Sequence, residues 1–382
     1  MCAANTAGTG DNCVSTTNEM LKTALHDWHA ANNGRMVDFA GWSMPVQYSS
    51  IIDEHNATRT AIGMFDVSHM GRFYFSGDGV DAILDRLTTR RVAGMDVGRI
   101  RYSLMCNEQG GILDDVLVYH LPKSSGGSHF MMVVNASNRE KISSWINDNC
   151  DGLELIDRTL ETAMIACQGP NANNLVAELA ENEPDGLKYY TGTATKVCGH
   201  DAIISRTGYT GEDGCEIICD NQYAVEIWEE IHSRSLAVRG AACGLASRDT
   251  LRLEAAMPLY GHELGEQINA AQADLSFAMN FKDREFIGRS EILAGKKDEA
   301  LPVRIGLQLE GRRAAREGCP ILIDEQVVGE ITSGTFSPTL QQSISMGYIQ
   351  PQYAELGTQL NIDIRGKMHS GNVVELPFYS RS

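Results

Sequence analysis

The sequence predicts an α+β fold followed by an all-β unit. Hairpin-forming strands alternate with short amphipathic helices up to about residue 295 without regular βαβ spacing, and helical patterns stop after Leu301. Size agrees. With 382 residues, 43% hydrophobic and 21% charged, the chain has room for two or three domains of roughly 100–200 residues and a core that needs no disulfide or metal staples.

Residues 1–20 hold no Lys or Arg and no continuous apolar run, which argues against a signal or transit peptide and predicts a flexible tail. In LKTALHDWHAA, Leu21, Leu25 and Trp28 recur at helical spacing before the Asn32-Asn33-Gly34 stop, which predicts a helix from Leu21 to Ala31. MVDFAGWSMPVQY (36–48) is aromatic, apolar and broken by Gly and Pro, so a packed, irregular segment is expected there.

GRFYFSG (71–77) alternates as a strand, and Val80, Ile83, Leu84 and Leu87 mark the inner face of the helix that follows. RIRYSLMCNEQGGILDDVLVYHL (99–121) reads as strand, NEQGG turn and strand, with a KSSGG loop and the strand HFMMVVNA after it. NASNREKISSWINDN predicts a helix capped at Ser137 or Asn138. The same grammar recurs in AMIACQG, KVCGHDAIISRTGYTGEDGCEIIC and the helix QYAVEIWEEIHSR. Beyond the linker KKDEALP (296–302), short strands from PVRIGLQL to NVVEL predict a barrel or a sandwich. The expected organisation is a tail (1–20), an α+β region (21–295) and a β domain (301–382).

The 32 Lys and Arg against 50 Asp and Glu leave a net charge of −18, the wrong sign for a nucleic-acid binder. No apolar run reaches the roughly 18 residues of a membrane span, so no membrane partner is expected. Ten scattered cysteines without a C-x-x-C pair suit reduced thiols and a cytoplasmic location, and no zinc-type cluster of Cys and His is present.

Among the motifs, Gly208, Gly211 and Gly214 precede a strand where a phosphate loop needs a helix, so a glycine-shaped hairpin turn is expected. Asp66, Ser68 and His69 supply the residue types of a hydrolase triad, but Ser and His adjacent in an extended chain point apart. His26 and His29, one helical turn apart without a third ligand, read as helix-surface or interface residues rather than a metal site. Asp114 and Asp115 interrupt the apolar strand GILDDVLVY. They face opposite sides, so one points at the core or a pocket, either bonded by turn amides or aimed at a substrate nitrogen. Glu216 and Arg248 also sit among apolar neighbours, as a buried ion pair or as ligand contacts.

RMVDFAGWSMPVQY, MFDVSHMG, GGILDDVLVY, VVNASN, QGPNA, RTGYTGEDGCEI, GLASRDTLRLEAAMPLYGHEL, FIGR and ITSGTFSPTL occur in this order from about residue 35 to 340. Together they resemble the glycine cleavage T-protein family of aminomethyltransferases. The resemblance implies a three-part cloverleaf, with two interleaved α+β folate-binding portions and a C-terminal β-barrel. It further implies tetrahydrofolate as co-substrate, no metal, flavin or nicotinamide, and a lipoylated H-protein as carrier of the one-carbon unit. By the same resemblance Asp114 is the catalytic aspartate and Glu216 the pterin-binding glutamate. Asn135, Tyr209 and Arg248 become further folate contacts, and Tyr102 and Met70 line the cavity. Other folate-dependent one-carbon transferases or demethylases of this fold, and a non-enzymatic folate binder, are the alternatives.

The chain departs from the family pattern at Ser276-Phe277, where Gly-Trp is usual, and at Ala256, where Gly is usual. Two basic clusters, Arg90, Arg91, Arg99 and Arg101, and Lys296, Lys297, Arg312, Arg313 and Arg316, are candidates for a polyglutamate tail or an acidic carrier, or are simply solvated faces.

Overall fold

In the computed structural model the described residues are 19–122, 127–150, 152–181 and 186–381. The expected tail at 1–18 and most of the KSSGG loop lie outside them.

Among the described residues, two large sheets and one short hairpin lie before residue 300. The first runs Gly192–Val197, His200–Ser205, Gly214–Asp220, Thr162–Gln168, Gly63–Asp66, Ala241–Ala242, antiparallel except for the last pair. The second runs Arg99–Cys106, Ile112–Pro122, Ser128–Val134, Gly71–Ser76, Glu154–Asp157, antiparallel throughout. The chain leaves the first sheet after Asp66 and returns to it at Thr162. The two portions are therefore interleaved, as the cloverleaf requires.

Alternation explains how they pack. In the first sheet Ile165, Cys167, Cys215 and Ile217 face Ile227, Trp228 and Ile231 of the helix Asn221–Leu236. The opposite face, with Phe65, Met164, Ala166 and Ile218, meets Ile100, Tyr119, Leu121 and Val133 of the second sheet. The second sheet in turn turns Val116, Val118, Met132 and Val134 toward Leu84, Ile142 and Ile146 of its own helices. The strand Ile112–Pro122 is thus apolar on both faces, the pattern of a strand buried on both sides.

The C-terminal strands close on themselves. Val303–Leu309 pairs with both Gln342–Ile349 and Met368–Val374, completing a six-stranded barrel around Leu307, Ile321, Ile331, Leu360 and Ile362. Barrel, not sandwich, is the outcome.

Three local expectations change. The first helix spans His26–Ala31, because the Leu21 amide and carbonyl are bonded to Gly41 and Ser43 and hold Leu21 extended. Residues 36–45 form a regular hairpin, Met36–Phe39 against Trp42–Pro45, turned by Ala40 and Gly41 at φ 52° and 81°. Asn138 holds the N-cap position of the helix Arg139–Asn149 but makes no side-chain cap bond; a 3₁₀ turn precedes the helix, and the Asn138 carboxamide donates to Asp114 instead. Ala256 sits at φ 53°, in the left-handed region where a glycine would carry no Cβ penalty.

Buried polar clusters fasten these parts. Asp66 accepts hydrogen bonds from Thr23 Oγ1 (2.7 Å) and the Ser68 amide (2.9 Å), and pairs with His29 Nε2 (2.9 Å). That assigns His29 to the core and uses up Asp66 structurally. Glu254 joins the body to the barrel: it accepts from the Ser337 hydroxyl, Thr339 Oγ1 (2.8 Å) and Arg59 Nη2 (2.8 Å), beside His55 Nε2 at 3.2 Å. Arg59 Nη1 also reaches Glu212 (3.0 Å), which accepts from Tyr379.

Burial alone would raise both Asp66 and Glu254. Hydrogen bonds and the His29, His55 and Arg59 charges overcome it and hold each at about 2. A carboxylate with a depressed folded pKa stabilises above its unfolded pKa and loses that contribution as pH falls toward the folded one. Each therefore removes on the order of 2 kcal/mol between about pH 4.5 and 2. Thermal unfolding across this range is expected to show a steep loss of Tm, and Glu254→Gln should flatten it; an unchanged acid limb in that variant would refute the assignment.

Candidate functional site

A cavity of about 690 Å³ opens between the two sheets and the barrel. All three portions wall it. Val67 and His69 come from the first crossover, Asp115 and Leu117 from the second sheet, Thr207 and Glu216 from the first sheet, and Thr332, Ser333 and Gly334 from the barrel. Met70, Tyr102, Asn135, Tyr209, Glu216 and Arg248, separated by up to 178 positions in sequence, all line it.

The hairpin loop between His200–Ser205 and Gly214–Asp220 carries Thr207 and Tyr209 into the wall. It needs glycine where it crosses Gln168: a Cβ on Gly208 would collide with that side chain. This is the predicted hairpin turn and no phosphate loop. Glu216, 4% exposed, accepts from the Thr207 hydroxyl, which also bonds Ser205 Oγ (2.8 Å). Burial raises the Glu216 carboxyl, with Thr207 and the nearby Arg248 charge opposing.

Helix Leu245–Glu254 places Arg248 and Arg252 one turn apart, and their surroundings differ. The Arg252 guanidinium is saturated, bonding Asp249 (2.9 Å), Glu263 (2.9 Å), Ser333 (2.8 Å) and the Met257 carbonyl (3.2 Å). Arg248 instead lies over the Tyr209 ring, 4.9 Å from its centroid, with Nη1 buried and unpartnered. No direct Glu216–Arg248 ion pair forms among the described residues, so the buried-pair reading of these two side chains fails. His69 Nδ1, in the same wall, is likewise buried without a partner. Burial, with Arg248 and Arg72 nearby, lowers His69 to about 4, so its ring is neutral at pH 7. Ser68 Oγ bonds the Met164 carbonyl (3.3 Å) rather than His69, and no hydrolase triad forms.

The Asp pair is divided by the strand's alternation. Asp115 shares a face with Leu117 and lines the cavity, while Asp114 is fully buried behind it. Asp114, which the family resemblance made the catalytic group, is therefore not a cavity-facing side chain. Three donors hold it: the Asn135 amide (3.0 Å), Asn135 Nδ2 (2.8 Å) and Asn138 Nδ2 (2.7 Å). Asn135 Nδ2 also donates to Asp115 Oδ1 (2.7 Å), and Tyr102 Oη donates to Asp115 Oδ2 (3.0 Å). Burial first and the neighbouring Asp115 charge second lift Asp114 to about 7, and burial raises Asp115 as well, against the Tyr102 and Asn135 hydrogen bonds. No group of three or more His, Cys, Asp or Glu among the described residues is arranged to hold a metal ion.

Comparison with known proteins agrees with this geometry. Residues 25–283 match the GCVT N-terminal domain and residues 303–380 the glycine cleavage T-protein C-terminal barrel domain. The chain belongs to the glycine cleavage T-protein family. It is 41% identical over 368 residues to the aminomethyltransferase of Geobacillus kaustophilus, covering 95% of this chain and 100% of that protein. It is 40% identical over 376 residues to that of Symbiobacterium thermophilum, covering 95% and 98%. The crystal structure of glycine cleavage system aminomethyltransferase T from Bartonella henselae superposes with a TM-score of 0.87 at 30% identity, over 94% of this chain and 98% of that one.

Against the T-protein pattern, the substituted Phe277 keeps an aromatic role. It stacks on Tyr102 with ring centroids 5.6 Å apart at 24° and lines the cavity at 53% exposure. Thr207, His69 and Asn138 were not singled out for the site from sequence. Asn138 carried only a cap signal, His69 only the hydrolase-triad pattern weighed above, and Thr207 none beyond lying in the motif RTGYTG.

Proposed function

We propose that this chain is a tetrahydrofolate-dependent aminomethyltransferase. It takes the aminomethyl group from the lipoyl sulfur of a carrier protein, the H-protein of the glycine cleavage system. The products are ammonia, 5,10-methylenetetrahydrofolate and the dihydrolipoyl carrier. The observation that carries this reading is the cavity itself, which joins a buried carboxylate and an unpartnered guanidinium with a second, half-buried carboxylate facing the same space.

The residues fit a reduced pterin. Its N3–H and 2-amino group lie side by side and suit the two oxygens of Glu216, while Arg248 Nη1 is free to donate to a neighbouring carbonyl oxygen. Tyr102 and Phe277 offer aromatic faces, and the volume lies in the range of ligand-enclosing pockets.

Asp115 is the reacting carboxylate in this reading. Its charge holds the cationic aminomethyl nitrogen and its raised proton affinity suits it to accept a proton. Tyr102 and Asn135 fix its orientation, which matters because orienting two reactants is worth several kcal/mol. Asp114 acts from behind as a positioning residue: it anchors the Asn135 carboxamide that in turn donates to Asp115.

A donor comparison tests the function. With tetrahydrofolate present, aminomethyl-loaded lipoyl carrier is expected to release ammonia, and a methyl sulfonium donor is expected to yield no 5-methyltetrahydrofolate. Methyl transfer from the sulfonium alone, leaving a thioether, would reassign the chain to another one-carbon transferase of this fold.

A further inference from the structure

The transfer described above must deliver a proton to the lipoyl sulfur as its bond to carbon breaks, and neither Asp114 nor Asp115 performs that step. Another group suited to it stands in the cavity wall. Tyr260 lines the cavity, and its hydroxyl accepts a hydrogen bond from Lys141 Nζ (2.7 Å). The same ammonium lies 4.6 Å from the Tyr260 ring centroid and also donates to Glu266 (2.9 Å).

An ammonium can only donate, so the Lys141 bond occupies a lone pair of Tyr260 Oη and leaves the phenolic hydrogen unused. Tyr260 donates that hydrogen to no group among the described residues. Burial raises the phenol against the pull of Lys141, so it is protonated at neutral pH. The segment that carries it is fastened to the strand of the Asp pair. The Ile112 amide bonds the Gly265 carbonyl (3.1 Å), and a Cβ on Gly111 would strike the Glu266 carbonyl. Lys141 belongs to the helix Arg139–Asn149, and Asn138 just before that helix holds Asp114. Tyr260 therefore stands on the Asp115 side of the cavity, where Asp114 is among the charges acting on it.

We propose that Tyr260 is the acid that protonates the departing lipoyl sulfur, with Lys141 as its positioning residue. This rests on the folate-dependent transfer proposed above and adds a catalytic group to it. In that transfer the methylene carbon gains bonds to N5 and N10 of tetrahydrofolate and loses its bonds to the amine nitrogen and to sulfur. The hydrogens displaced from N5 and N10 end one on the amine, which leaves as ammonium, and one on sulfur. The electron pair of the broken C–S bond goes to sulfur, which takes the Tyr260 proton. The Lys141 cation stabilises the phenolate until a folate N–H proton restores it by way of Asp115 or solvent. Phenols and alkyl thiols ionise within about two pH units of each other, so the proton passes between nearly matched partners.

The test is single-turnover release of the second lipoyl thiol from aminomethyl-loaded carrier at saturating tetrahydrofolate, read with a thiol reagent after quenching. Wild type, Tyr260→Phe, Lys141→Gln and the double variant are compared, with tetrahydrofolate affinity and Tm measured on the same samples. Tyr260→Phe is expected to slow thiol release by about 10²-fold or more with affinity and Tm unchanged. Lys141→Gln should slow it less, and should cost nothing further once Tyr260 is replaced, because a positioning residue acts only through the hydroxyl it holds. Undiminished release in Tyr260→Phe overturns the proposal, and so do losses that multiply in the double variant. A Tyr260→Phe deficit confined to tetrahydrofolate affinity also overturns it and makes the side chain a folate contact. Wild-type turnover reports the transfer reading by itself: its absence sinks both, whereas turnover that survives in Tyr260→Phe sinks only the acid.

Discussion

Asp115→Asn is expected to lower kcat for folate-dependent ammonia release by about 10²–10⁴-fold, with little change in tetrahydrofolate affinity. The substitution keeps shape and hydrogen-bonding capacity but removes the charge that faces the cavity and the site that takes the proton. Asp114→Asn should act differently. Asp114 touches no cavity space and is ringed by donors from Asn135 and Asn138. The Asp115 charge helps burial lift Asp114 to about 7, so Asp114→Asn should remove an ionisation near that pH from the kcat/KM profile. A purely structural role would scale the profile without moving it. If Asp115→Asn turned over normally and Asp114→Asn were dead, the roles assigned to the pair would be reversed.

Glu216→Ala is expected to raise the dissociation constant for tetrahydrofolate by about 10–100-fold, because a buried charged acceptor of paired hydrogen bonds is worth roughly 1.5–3 kcal/mol. The fold should not suffer. The carboxylate is desolvated and, among the described residues, carries no ion pair and is bonded only by Thr207, so its removal relieves a buried charge rather than breaking a lock. Equilibrium binding and thermal unfolding on the same samples separate the outcomes. Weakened binding with an unchanged or raised Tm supports a ligand role. Unchanged binding with a fall in Tm returns Glu216 to a structural role.

The reach of sequence reading here follows burial and register. The α+β character was legible because strands and helices alternate without βαβ spacing, and the all-β unit because helical patterns cease after Leu301, whereas the interleaving of the sheets and the closure of the barrel came only with the family resemblance. Glu216 and Arg248 stood out as charged residues amid apolar neighbours, and the cavity unites them. The Asp pair could not be resolved in the same way. Val116 and Val118 on one face and Leu117 and Tyr119 on the other are equally apolar, so alternation alone does not tell which face meets the cavity and which the helices. Asn138 looked like a helix cap because capping and carboxylate binding draw on the same carboxamide. The 36–45 hairpin was hidden by Ala40, a residue that seldom marks a left-handed turn.

The most direct test of the whole account is ammonia release from aminomethyl-loaded lipoyl carrier, measured with and without tetrahydrofolate. The account predicts release that depends on folate, matches methylenetetrahydrofolate formed mole for mole, and collapses in Asp115→Asn. Tight folate binding without any such turnover would contradict it and leave a folate-binding protein that does not transfer the aminomethyl group.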